Sequence, residues 1–228
     1  MFQKQWSEGW LAQASYTLAF LRGNYAGLFR PETEQLDPNI NSDFDLKSLT
    51  VNRYGPLPGD RTHQLKVYAA REFDAAYQTK FTLGGGAQAL SGAPTSYLGS
   101  HPIYGEDEVA ILPRGSGDRL PWEITADVHG GFTFAPVKGH NVEVTLDVFN
   151  LFNFQSATLA DESYTFDDVN PLQNCAATST DSCTRADLGK VQTVDGTDLP
   201  EESINPNFGQ PKQFQAPRTV RFGLRWSF

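Results

Sequence analysis

Long stretches in which every second residue is apolar constrain this chain more than any other feature, because such a period belongs to strands with one greasy and one polar face. From Trp10 the even positions read Trp10, Ala12, Ala14, Tyr16, Leu18 and Phe20, with Gln13, Ser15 and Thr17 between them. The pattern returns from Trp122 as Ile124, Ala126, Val128, Gly130, Phe132 and Phe134, and from Val142 as Val144, Leu146 and Val148. It closes the sequence as Val220, Phe222, Leu224, Trp226 and Phe228, set against Arg221, Arg225 and Ser227. Weaker versions over 63–73 and 77–90 complete an expectation of six strands at 10–22, 63–73, 77–90, 122–134, 140–152 and 217–228. Strands of this length exceed the usual five or six residues of soluble sheets. They approach the roughly 9–11 residues needed to cross a bilayer.

The connections carry a second constraint. Residues 74–76 and 135–140 are short, whereas 23–62, 90–121 and 153–216 are long, so long and short links alternate. Transmembrane barrels join their strands in this way, with short turns on the periplasmic side and long loops outside. The reading is therefore an all-β, antiparallel, up-and-down barrel wall, with both chain ends expected on the periplasmic side. Aromatics near strand ends (Trp10, Phe20, Trp122, Phe134, Trp226, Phe228) fit interfacial girdles. A small soluble or surface-attached β-sandwich that binds a ligand remains the alternative, since its strands alternate too.

Composition narrows the function. No apolar run approaches the roughly 18 residues of a membrane helix. A net charge of −9 speaks against nucleic acid as a partner. The first residues lack a signal peptide's apolar centre, and the expectation is that the original reading frame begins further upstream. Cys175 and Cys183, the two cysteines, lie in a polar stretch without histidines at metal-ligand spacing, which points to a disulfide rather than zinc. His63, His101, His129 and His140 are dispersed, and no nucleophile-elbow, zinc-protease or phosphate-loop pattern occurs, so neither an enzyme nor a cofactor is expected. Gly84, Gly85 and Gly86 lie inside a strand pattern and read as a bend or thin spot in the wall. Glu123, Asp127, His129, Glu143, Asp147, Arg221 and Arg225 fall on the polar side of their strands and are the candidate lumen-facing residues. The acids of the last long loop (Asp161, Glu162, Asp167, Asp168 and Asp181 among them) match no calcium-loop spacing and read as a solvated acidic face.

Particular motifs resemble the TonB-dependent outer-membrane receptors, in the Oar-like subgroup. Val144 to Asn153, ending Asn150-Leu151-Phe152-Asn153, is similar to their penultimate strand, and Pro217 to Phe228 to their closing strand. Leu21–Phe29, Tyr54–Arg61, Ser91–Thr95 and Ile111–Gly115 extend the resemblance over most of the chain. It implies that residues 1–228 form the C-terminal portion of a barrel of about 22 strands, with plug domain and TonB box absent. It implies an outer-membrane location, membrane lipid and lipopolysaccharide as surroundings, and TonB-driven uptake by the parent through its missing N-terminal part. The substrate would be a siderophore, glycan, peptide or protein. Val220, Phe222, Leu224, Trp226 and Phe228 would then face lipid and form the signal read by the barrel-assembly machinery. Asn150 and Asn153 would bond backbone groups where the strand leaves the membrane.

Overall fold

A computed structural model describes residues 1–27, 30, 41–77, 79–137, 139–175 and 183–228. Leu28 and Phe29 of the resemblance motif, and Asp181 of the acidic loop, lie outside these residues. In chain order the strands are β1 (Phe2–Ser7), β2 (Trp10–Leu18), β3 (Arg22–Gly23), β4 (Gly55–Pro56), β5 (His63–Ala75) and β6 (Thr79–Leu90). There follow β7 (Leu98–His101), β8 (Gly105–Ala110), β9 (Glu123–Val137), β10 (His140–Phe149), β11 (Ala157–Ala160), β12 (Ser163–Asp168), β13 (Pro211–Phe214) and β14 (Thr219–Ser227).

Seven of these strands form one antiparallel sheet in the order β1-β2-β5-β6-β9-β10-β14. Once the short strands are set aside, each strand of this sheet pairs with its neighbour in sequence, as an up-and-down wall requires. The sheet does not close, since β1 and β14 are both edges. Six strands were expected, and β1 is the addition. Lys4 interrupts its apolar side between Phe2 and Trp6, which hides the alternation. Glu8 (φ 53°) and Gly9 (φ 75°) join β1 to β2 through two left-handed residues, the conformation a tight hairpin demands. This extra strand also corrects the placement of the chain ends. Phe2 pairs with Ala14, well away from the turn end where Phe228 lies, so the two termini are not at the same end.

Cross-strand register explains why alternation was visible. Val148 of β10 pairs with Val220 on one side and Val128 on the other, and the row continues through Gly85 and Ala69 to Ala12. The adjacent row runs Arg221, Asp147, His129, Gly84, Ala70. Side chains in one row point the same way and successive rows point oppositely, so the whole sheet has one apolar and one polar face. Aromatic residues gather at both ends of the apolar face. Phe73–Phe81, Phe132–Phe134 and Trp226–Phe228 meet near the turns. Tyr16, His63 and Trp122 stack near the long loops.

Among the described residues every fully buried hydrophobic one lies outside the seven-stranded sheet. The long connections fold into a cap at one end of the sheet, a feature the alternation did not disclose. Its centre is Tyr97, Val109, Ile111, Leu112, Tyr164, Val169, Leu172 and Val191, with Cys183 packed among them. Around this core run a mixed three-stranded sheet ordered β12-β7-β8 and the pairs β11-β13 and β3-β4. Among the described residues the large sheet buries no hydrophobic side chain on either face, which removes the support for a two-layer sandwich.

Candidate functional site

Two groups of polar residues merit functional consideration, one on the polar face of the sheet and one inside the cap. On the sheet, Asp147 is the pivot. Its Oδ1 lies 2.6 Å from His129 Nδ1, while its Oδ2 accepts from Arg221 Nε at 3.0 Å and lies 2.9 Å from a terminal guanidinium nitrogen. The contact exists because the register sets Asp147 directly between His129 and Arg221. Two turn-ward steps along the same face, Glu143 stands opposite Arg225. Loop-ward, Asp127 accepts the Asn150 backbone N–H at 2.8 Å, and Glu123 meets Arg61 at 3.5 Å. The structure thus places Glu123, Asp127, His129, Glu143, Asp147, Arg221 and Arg225 on one face, the polar one. Val220, Phe222, Leu224 and Trp226 lie on the other. Arg61, which sequence alone left unassigned, joins this strip.

In the cap, Asp43 lies under three guanidiniums: Arg30 at 3.4 Å, Arg53 at 3.3 Å and Arg114 at 3.1 Å. Glu108 receives Arg30 at 2.5 Å and the Ser42 hydroxyl at 2.5 Å, and its carbonyl accepts from Arg53 at 2.5 Å. All five charged groups are at most 3% exposed. Burial, reinforced by the positive charge of Arg30, pushes Arg53 down to about 10, with Asp43 and Glu108 opposing and Arg114 adding to the effect. The network ties Arg30, Ser42, Asp43 and Arg53 of the first long connection to Glu108 and Arg114 of the second, and it is built for cohesion. No group of three or more metal-ligating side chains occurs among the described residues.

A third polar junction pins the loop roots. Asp60 accepts the Leu21 backbone N–H at 2.9 Å and pairs with Arg119, which also donates to the Gly92 carbonyl at 2.9 Å. Burial alone would raise its carboxyl, but hydrogen bonds from Arg119 and Leu21 with the Arg119 charge outweigh it and hold Asp60 below the ordinary carboxylate range. A depressed carboxylate contributes stability that is present above its unfolded value, near pH 4, and is lost as pH falls through that range toward the folded value. Titrating intact protein toward pH 3 should therefore release the loop roots, and Asp60→Asn should remove part of that acid sensitivity in hydrogen exchange of residues 19–23. An unchanged acid profile in the variant would exclude Asp60 as the cause.

Asn150 and Asn153 take up a structural role. Asn150 is buried with φ 49°, donates its amide to the Phe154 and Ala216 carbonyls at 2.8 and 2.9 Å, and accepts the Phe154 N–H at 3.0 Å. Asn153 (φ 54°) accepts the Arg218 N–H at 2.9 Å and so ties the exit of β10 to the approach of β14. Asn150→Ala would orphan these backbone groups and place a Cβ residue in the left-handed region, costing about 2–3 kcal/mol. Asn150→Gly, which relieves only the backbone, should recover part of that loss in thermal unfolding. Equal losses would show that the side-chain bonds carry everything.

Cys175 and Cys183 form a disulfide with Cα atoms 5.0 Å apart. The acidic loop departs from expectation. Asp161 and Glu162 are buried rather than solvated: Asp161 accepts from the Ser163 N–H at 3.0 Å and Asn205 at 3.2 Å, and Glu162 accepts the Ser96 N–H at 2.9 Å. These carboxylates satisfy loop backbone, as buried acids must. Asp167 stays exposed.

No family profile and no solved structure matches the chain. Among characterised proteins, the TonB-dependent transporter Oar of Myxococcus xanthus is 46% identical over 235 residues, covering 99% of this chain. The chain spans 21% of that protein's length. The resemblance carried by the motifs thus extends along nearly the whole sequence, and the architecture is that of a segment of TonB-dependent receptor β-barrel.

Proposed function

We propose that the chain is the C-terminal part of the wall of an outer-membrane receptor that takes up a scarce substrate with energy from TonB. The observation that carries this reading is the sheet itself: seven strands in one register, apolar on one side and charged on the other. Twelve residue steps separate Trp122, just before β9, from Phe134 on it, about 40 Å along a strand. At a tilt of about 40° that is close to the 30 Å hydrocarbon core of a bilayer. The apolar face meets lipid, with the aromatic rings at the two interfaces. The polar face lines the lumen, so Glu123, Asp127, His129, Glu143, Asp147, Arg221 and Arg225 border the substrate path or seat a plug, and the cap forms part of the outer mouth. The role is transport rather than catalysis. In lipid the unpaired edges of β1 and β14 require further strands, because each unsatisfied backbone group costs several kcal/mol.

The test is the fate of the intact protein carrying this chain. It should sediment with outer membranes and resist salt extraction, and external protease should cut within 150–218 but not at Glu8-Gly9. Recovery as a soluble monomer would replace the barrel with a binding sandwich. We further propose that Phe228 is read by the barrel-assembly machinery. Its deletion should lower the amount inserted while leaving uptake per inserted molecule unchanged; normal insertion with lost uptake would reverse that assignment.

A further inference from the structure

The apolar face carries two residues that do not belong there by composition. At the positions that β1, β2, β5, β6, β9, β10 and β14 direct to this side, Lys4 and Arg71 are the only lysine, arginine, aspartate or glutamate among the described residues. Both stand beside Trp10, Lys4 over its ring and Arg71 across the strand from it. Lys4 Nζ sits 4.0 Å from the centre of the Trp10 ring and donates to the Ser7 hydroxyl at 2.7 Å, the Ser7 carbonyl at 3.0 Å and the Trp10 carbonyl at 3.3 Å, and Arg71 is the direct cross-strand partner of Trp10. The Arg71 guanidinium lies 4.9 Å over the Phe73 ring. Neither cation has a carboxylate partner among the described residues.

Beside them the face is hollow. A depression of about 580 Å³ is lined by Trp10, Ala69, Arg71, Leu83, Gly85 and Val128, together with Leu11, Ala70 and Gly84. Two register rows build it. Ala69, Gly85 and Val128 make one row and Trp10, Arg71 and Leu83 the next. The small residues are the floor, so the thin spot read from Gly84-Gly85-Gly86 is the bottom of a groove. A Cβ at Gly85 would stand 3.1 Å from the Asp127 carbonyl, so the position is closed to larger residues without adjustment of the backbone.

We propose that this groove binds one phospholipid with an anionic headgroup, taken from the leaflet on the turn side. One acyl chain lies over Ala69 and Gly85 between Trp10, Leu83 and Val128, and the phosphate is held between Lys4 and Arg71. The Lys4 donors are taken by Ser7 and Trp10, but among the described residues neither Lys4 nor Arg71 meets an opposite charge on this face. A phosphate supplies the missing counter-charge, while the apolar hollow supplies the complementary shape. The inference rests on the barrel-wall reading, because only a wall in lipid presents this face to lipid.

The experiment uses the intact protein, reconstituted in bilayers of phosphatidylethanolamine with phosphatidylglycerol and released for native mass spectrometry. Wild type should retain phosphatidylglycerol above its bulk fraction. Lys4→Gln and Arg71→Gln should each reduce that enrichment about fivefold, the change equivalent to about 1 kcal/mol per basic residue at about 1.4 kcal/mol per tenfold. Ala69→Leu, which keeps both cations and fills the floor, should also reduce it. Equal enrichment in all variants would overturn the proposal. So would enrichment of added lipid A over phosphatidylglycerol, which would assign the surface to the other leaflet. A protein that never inserts would instead fail the barrel reading, and membrane fractionation of the same samples separates the two outcomes.

Discussion

Replacing Asp43 with alanine is expected to loosen the cap by about 3–5 kcal/mol, the cost of breaking a buried ion network by removing one partner. Asp43 is fully buried and lies within 3.4 Å of Arg30, Arg53 and Arg114, so its loss deprives three buried guanidiniums of a shared counter-charge. Repulsion among those arginines already opposes protonation of Arg53. Asp43→Asn, which keeps the shape and some hydrogen bonding, should lose less. The cap and the sheet have separate cohesion, the first from its buried core and the second from its ladder. Limited proteolysis should therefore open residues 41–60 and 101–115 while the sheet keeps its hydrogen-exchange protection. A wild-type digestion pattern for Asp43→Ala would mean that the three arginines are held by their other contacts, and that the network adds little.

The large sheet was legible because its information is local. Alternation from Trp122 to Phe134 or from Val220 to Phe228 needs no knowledge of distant residues, and the polar positions of the same strands follow by subtraction. β1 escaped for the same reason in reverse, since Lys4 stands on the apolar face for a purpose that alternation cannot express. The cap left almost no trace. Its strands are short, and Leu98–His101 is buried throughout, so no period of two survives there. Its charge network gave no local signal, because Asp43, Arg53, Glu108 and Arg114 are brought together only by the fold. The Asp147 contacts stand between these cases. Membership of the polar face could be read from β10 alone, whereas the pairing with His129 and Arg221 depends on a register that joins residues 18 and 74 positions away. Asp161 and Glu162 misled for a related reason: their partners Asn205 and Ser96 lie in other parts of the chain.

Leu146→Arg and Thr145→Arg are neighbours in sequence and should have opposite consequences. Leu146 pairs with Phe222 and Gly130 on the apolar face, near the middle of its strand. An arginine there would cost about 2–4 kcal/mol in the bilayer, in addition to the lost leucine contacts. Thr145 faces the other way between Gly131 and Gly223, so that an arginine has room to extend into the polar space. Expressed in the intact protein, Leu146→Arg should be depleted from the outer membrane, whereas Thr145→Arg should insert at the wild-type level. The chain cannot escape the penalty by sliding one residue. A slip moves every side chain of β10 to the opposite face, carrying Glu143 and Asp147 into lipid and breaking the bonds of Asp147 to His129 and Arg221. If both variants insert equally, the assignment of faces to lipid and lumen is wrong. If only Thr145→Arg fails, the faces are reversed, and the charged strip through Asp147 has to be explained without a lumen.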